Sequence, residues 1–138
     1  MFKRILLAVD GSEHSIRATE YSIELANKFD GTVDVVYVVD GDTVKKDVLQ
    51  TSTPFEMEKY RKEKVKPIRS RLNESNVIFG THFLQGEPGQ TIVNFANDRE
   101  FDCVVIGSRG LNELQTLFLG SVSHKVVKRA NCPVLIVK

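Results

Sequence analysis

Cysteine is scarce in this chain: two residues in 138, Cys103 and Cys132. Two do not make a disulfide framework. Cys103 opens an apolar run and Cys132 sits in a turn before Pro133, so both are expected to be plain thiols of a reducing compartment. Histidine is as thin. His14, His82 and His124 fall on a loop, a strand and a helix without ligand spacing, which argues against a zinc site. An excess of one charge is missing too. The net charge is +1, so nothing global calls for nucleic acid or an anionic membrane as partner. No charged-then-apolar leader opens the chain, and no apolar run approaches the roughly 20 residues of a membrane span. A cytoplasmic location is the resulting expectation. Two phosphate motifs are also absent. Without G-x-x-x-x-G-K-[ST] there is no Walker lysine, and without G-x-G-x-x-G a dinucleotide reading is weak.

What is present reads as one globular domain over residues 1–138. With 41% hydrophobic and 27% charged residues, the chain is long and apolar enough to bury a normal core. Arg4 to Asp10 is an apolar run closed by an acid, a first strand. Ser12 caps a helix reaching about Phe29, with Ala18, Ser22, Leu25 and Phe29 on one side and Tyr21 flanking. Asp30-Gly31 ends that helix, and residues 32–39 form a valine-rich second strand. Residues 41–52 read as a polar loop. Thr53-Pro54-Phe55-Glu56 then starts a helix with a Thr cap, Pro at its first position and Glu closing a capping box. Met57, Tyr60, Lys64, Ile68 and Leu72 trace its inner face, and Pro67 is expected to kink or divide it. Its many lysines and arginines are interleaved with Glu56, Glu58 and Glu63, the pattern of a solvated face. Residues 77–84 read as a third strand and 86–89 as the turn into a helix through Arg99, whose inner face is Ile92, Phe95 and Ala96. A fourth strand begins at Cys103 and a fifth covers residues 134–137. No internal repeat or low-complexity segment occurs. Strands alternating with helices specify a doubly wound α/β fold with a nearly all-parallel sheet.

The most informative stretch runs from Cys103 to Lys128. An apolar strand breaks at Gly107-Ser108-Arg109-Gly110, and nine residues later the chain resumes at Gly120-Ser121-Val122-Ser123. Val122, Val126 and Ala130 then recur as one face of a helix. Strand, glycine loop and helix start form a layout that cradles phosphates. Glycines let backbone approach an anion, and the unpaired N–H groups of a first helical turn face it. Ser121 and Ser123 add hydroxyl donors. Simple turn-making also accounts for Gly107 and Gly110 taken alone; Gly120-Ser121 in register favours the cradle. Arg109 either screens phosphates or is a solvated loop arginine, and Asn112, Gln115 and Thr116 in the crossing segment read as surface.

Gly107-x-x-Gly110, nine residues, then Gly120-Ser121 resembles the ATP-binding signature of the universal stress protein family. RILLAVDGSEHS (Arg4 to Ser15), VVYVVD (Val35 to Asp40), GEPGQTI (Gly86 to Ile92) and the closing NCPVLIVK are similar to that family as well, in its order and over nearly the whole chain. The resemblance implies a five-stranded sheet of order 3-2-1-4-5 with helices on both faces, its order reversing between the strands that end at Asp10 and Gly107. Ligands bind at such reversals. It implies ATP as the cofactor, accompanied by Mg²⁺. Gly107, Gly110, Gly120 and Ser121 would lie around the ribose and phosphates, with Val122 and Ser123 continuing the helix start. Asp10 would stand near the adenosine, preceded by Ala8, and the backbone at Val38 would meet the adenine. For Asp10, a capping role at the first helix is equally consistent with the residues.

The loop carries no evident base or water-positioning group, and no serine elbow occurs, so no catalytic residue is assigned. The leading expectation is an ATP-holding switch or sensor of the stress response, with at most slow hydrolysis or autophosphorylation on Ser121 or Ser123. The alternative is a stress-associated homodimer that binds no nucleotide. Adenylyl transfer is disfavoured by the absence of a histidine pair near Asp10. Val134-Leu135-Ile136-Val137 would make an apolar sheet edge guarded only by Lys138, which invites pairing. In the family the last strand pairs with its twin, so a homodimer through residues 133–138 is expected.

Overall fold

The computed structural model describes residues 1–39, 53–110 and 119–138. The loop read at residues 41–52, and Asn112, Gln115 and Thr116, lie outside the described residues. Among the described residues nine elements follow in order: β1 (Arg4–Val9), α1 (Glu13–Phe29), β2 (Thr32–Val39), α2 (Pro54–Glu74), β3 (Phe79–Gln85), α3 (Pro88–Asp98), β4 (Cys103–Gly107), α4 (Ser121–Arg129) and β5 (Val134–Val137). The strands form one sheet in the order β3-β2-β1-β4-β5, and every pairing is parallel. This is the expected doubly wound topology.

Strand alternation sends successive side chains to opposite faces, and the two faces make two cores. Ile5, Leu7, Val9, Val33, Val35 and Val105 pack against Ala18, Ile23 and Ala26 of α1 and Val65, Ile68 and Leu72 of α2. Leu6, Ala8, Val36, Val104 and Ile106 pack against Ile92, Val93, Phe95 and Ala96 of α3 and Val126 of α4. The central strands β1 and β4 are thus covered on both sides, which is why they read as unbroken apolar runs. Each fully buried valine, leucine or isoleucine among them contributes roughly 1.5–3 kcal/mol of transfer free energy.

Local signals were obeyed at the helix starts. The Ser12 hydroxyl accepts the Ser15 N–H at 3.2 Å, and the Thr53 hydroxyl accepts the Glu56 N–H at 3.1 Å. The polar residues of α1's inner face satisfy themselves: the Thr19 hydroxyl donates to the Ser15 carbonyl and the Ser22 hydroxyl to the Ala18 carbonyl. Asp30 closes α1 in the left-handed conformation, with φ 54°. Four expectations need correcting. Pro67 does not divide α2, which continues through it. Val65 and Ile68 anchor the turns on either side in the core, so tertiary packing outweighs the carbonyl left without a donor. The inner stripe of α2 is Val65, Ile68 and Leu72. Lys64 is rotated off it and lays its Nζ 5.0 Å from the Tyr60 ring. Tyr21 is exposed, and Ile23 takes the inward place on α1. β3 begins at Phe79 rather than Val77, because Asn76 has φ 63° and the ladder to β2 starts with Phe79 opposite Val33.

Candidate functional site at the carboxyl ends of the central strands

The strand order reverses between β1 and β4, so the loops leaving them diverge to opposite faces and open a crevice. Ala8 lies on β1 two residues before Asp10. It is buried and lies level with Val36 on one side and Ile106 on the other. One residue beyond the last β1–β2 pair, Val9 with Tyr37, come Asp10 and Val38, adjacent strand ends. Val38 is half-buried against the α3 and α4 core. Asp10 Oδ1 accepts the Ser12 N–H at 2.9 Å, so the carboxylate also shapes the turn into α1. Gly11 supplies the positive φ of 85° that this turn needs, a conformation other residues rarely hold.

On the other side of the crevice, the loop after β4 is fastened by Ser108, which is only 4% exposed. Its N–H donates to the Val137 carbonyl at 2.7 Å, and its carbonyl accepts the Gly120 N–H at 2.7 Å. The Ser123 hydroxyl lies 3.1 Å from the Ser108 carbonyl and 3.1 Å from that of Gly120, one hydrogen serving two acceptors. The halves Gly107–Gly110 and Gly120–Ser123 are therefore brought together, although the residues between them lie outside the described set. Gly120 is the N-cap of α4, and no described side chain caps that helix. Its first turn carries the exposed Ser121, the half-buried Val122 and the buried Ser123. Arg109 and Gly110 are half-buried beside it.

Gly107 has a packing cause of its own. A Cβ there would stand 2.6 Å from His14 Cβ and 3.1 Å from the His14 carbonyl carbon. The first turn of α1 thus lies directly over the loop. His14 Nδ1 is 3.3 Å from Ser108 Oγ, a hydrogen bond whose direction follows the imidazole tautomer. Sequence reasoning missed both residues. Ser108 was within reach, standing between the two loop glycines; His14 had no signal, since its contact spans 94 positions.

Elsewhere the chemistry is quiet. Burial, with Cys132 nearby, pushes the Cys103 thiol up to about 11, and burial also raises Cys132. Both therefore hold their protons at neutral pH. Among the described residues, no group of three or more His, Cys, Asp or Glu side chains is placed to hold a metal, and no helix is long and apolar enough to cross a membrane.

Fold and site together define a doubly wound α/β domain in which a glycine loop and a helix N-terminus meet at the strand reversal. The model of the Universal stress protein family matches residues 1–138, and the chain belongs to that family. It is 34% identical over 141 residues to universal stress protein MJ0531 of Methanocaldococcus jannaschii, covering all of this chain and 83% of that relative. Among solved structures, the protein MJ0577 superposes with a TM-score of 0.86 at 28% identity, over all of this chain and 96% of its own. The universal stress protein of Archaeoglobus fulgidus in complex with dAMP does so with a TM-score of 0.74 at 26% identity, over the whole of both chains.

Proposed function

We propose that this protein binds an adenine nucleotide, ATP by preference, in the crevice between β1 and β4, and acts as a cytoplasmic nucleotide-dependent switch or sensor. The observation that carries this reading is the 2.7 Å hydrogen bond from the Gly120 N–H to the Ser108 carbonyl. It seats an N-terminal helical turn without a described side-chain cap at the strand reversal, beside a glycine loop. First-turn N–H groups together with the Ser121 hydroxyl suit a polyphosphate. The residues present therefore fit the group. The backbone N–H groups of Ser121, Val122 and Ser123 would hold the phosphates, the Gly120 N–H and the Ser123 hydroxyl being engaged within the loop, with Gly107, Arg109, Gly110 and Gly120 alongside and Mg²⁺ entering as their companion. Ala8, Asp10 and Val38 would face the nucleoside. The dAMP complex of the A. fulgidus relative supports an adenine nucleotide as the ligand class. The site offers no assigned general base, so turnover would be slow at most. The protein would work as a homodimer joined through β5.

A second reading, a homodimer without nucleotide, is favoured by two observations. Asp10 has a structural use in accepting the Ser12 N–H, and Gly107 is required by the packing of His14. The deciding experiment extracts and identifies nucleotide from the purified protein, then titrates ATP calorimetrically into wild type and Gly110→Lys. Co-purified nucleotide and heat of binding, both lost in Gly110→Lys, are expected. No nucleotide and no heat in the wild type would leave the second reading in place.

A further inference from the structure

β4 ends at Gly107, so beyond it the sheet fixes the path of the glycine loop only through the Ser108 N–H, which donates to Val137. The orientation of the next peptide depends on what holds Ser108 itself. Its carbonyl must point at the Gly120 N–H and the Ser123 hydroxyl, and rotation about the Ser108 backbone would swing it away from both. The only described partner of the Ser108 side chain is His14 Nδ1, reaching over from α1. The imidazole is itself braced, because its Cβ fills the space that a side chain on Gly107 would occupy.

We propose that His14 is a positioning residue for the nucleotide loop. By engaging the Ser108 hydroxyl it sets the Ser108 peptide, and through that carbonyl the spacing between Gly107–Gly110 and the first turn of α4. The inference rests on the nucleotide reading above for its consequence, though not for its geometry. Without the imidazole, a hydroxyl in this nearly closed position must find another partner, and nearby backbone groups are what serine takes. The carbonyl that receives Gly120 would then share its role or turn. The glycine spacing makes the loop possible; His14 selects one of its conformations.

The test combines ATP calorimetry with amide hydrogen exchange measured by NMR, on wild type, His14→Ala, His14→Asn, Ser108→Ala and the double variant His14→Ala/Ser108→Ala. Losing one hydrogen bond that orders the loop is expected to weaken ATP binding about fivefold in either single alanine variant. The double variant should lose no more than either single one, because the two residues act as a unit. Asn carries its amide as many bonds from the backbone as Nδ1, so His14→Asn should bring affinity back to within about twofold of wild type. The Gly120 amide, which donates to Ser108, should exchange about fivefold faster in His14→Ala. The Val104 amide, which donates to Pro133, should keep its wild-type rate. Unchanged Gly120 exchange, additive losses in the double variant, or failure of Asn to restore binding would each overturn the proposal. If the wild type binds no ATP, the nucleotide reading fails separately. Gly120 exchange then decides the His14 contact by itself: acceleration in His14→Ala upholds it, and an unchanged rate overturns it.

Discussion

Gly107 meets a packing demand, because the first turn of α1 lies 2.6 Å from where its Cβ would stand. The nearest atoms are His14 Cβ and a backbone carbon, neither of them the tip of a side chain that could swing aside. Gly107→Ala is therefore expected to lower stability by about 1–3 kcal/mol, the usual cost of overpacking. Urea unfolding measures this, and an unchanged midpoint would remove the packing account of this glycine. The spacing of the glycines was legible because it is local. The reason Gly107 is a glycine was not, because the helix above it belongs to the other end of the chain. The same limit hid His14, while Asp10 was legible as an acid at a strand end without revealing that its carboxylate accepts the Ser12 N–H. The cysteines behave as their apolar settings predict. With its thiol raised to about 11, Cys103 in the folded protein should be alkylated at mildly alkaline pH at a rate on the order of a hundredfold below that of the unfolded chain. Mass spectrometry after iodoacetamide treatment, with and without denaturant, would show it; rapid labelling of the native state would contradict the buried thiol.

Helices show where local rules hold and where packing overrides them. The caps at Ser12 and Thr53 were readable because donor and acceptor are three residues apart. Of the kink or division expected at Pro67, division does not occur, because the proline's cost is local and its compensation is not: the core contacts of Val65, Ile68 and Leu72 come from strands far along the chain. Pro67 faces outward, so Pro67→Ala should restore a helical hydrogen bond without disturbing the core. A gain of about 1–3 kcal/mol is expected, and a loss would mean that α2 uses the proline. The start of α3 has a pH dependence. Burial alone would raise the Glu87 carboxyl, but N–H groups of Gln90 and Gly89 and the ammonium of Lys125, 3.1 Å away, outweigh it and hold the group below its usual range. A carboxylate held down in the folded state stabilises above its unfolded-state pKa, and that contribution disappears as pH falls through the folded value. Glu87→Gln should accordingly lower Tm at neutral pH and converge on the wild type as pH falls through the folded-state value. A decrement that does not shrink as pH falls would show that the cap, not the charge, was lost. Glu87 is half-exposed, so the effect should be small.

At the scale of the whole molecule, the fold class was legible because β1 and β4 are buried on both faces and say so as unbroken apolar runs. The strand order was not legible from periodicity, since pairs such as Ile5 with Cys103 join distant segments; the resemblance supplied it. That order leaves β5 at an edge of the sheet, with Val134, Leu135 and Ile136 only half-buried. The ladder to β4 indicates which backbone groups remain for a partner. Val104 donates to the Pro133 carbonyl and Ser108 to that of Val137, so the odd-numbered residues of β5 face β4. In a parallel pair the alternate residues then turn their N–H and C=O outward; here these are Val134 and Ile136. Ile136→Pro removes one outward donor while leaving the β4 ladder intact, and proline is tolerated on an edge with that orientation. If two copies join through β5, this variant should sediment as one chain where the wild type sediments as two, with a far-ultraviolet circular dichroism spectrum like that of the wild type. Leu135→Pro is the control, because it removes a donor facing β4 and should destabilise the fold itself. A folded Ile136→Pro that remains a dimer would exclude strand-to-strand pairing at this edge and move the interface to another surface. A monomeric wild type would remove the dimer from the proposal and leave the nucleotide crevice, which lies within one chain, to be judged alone.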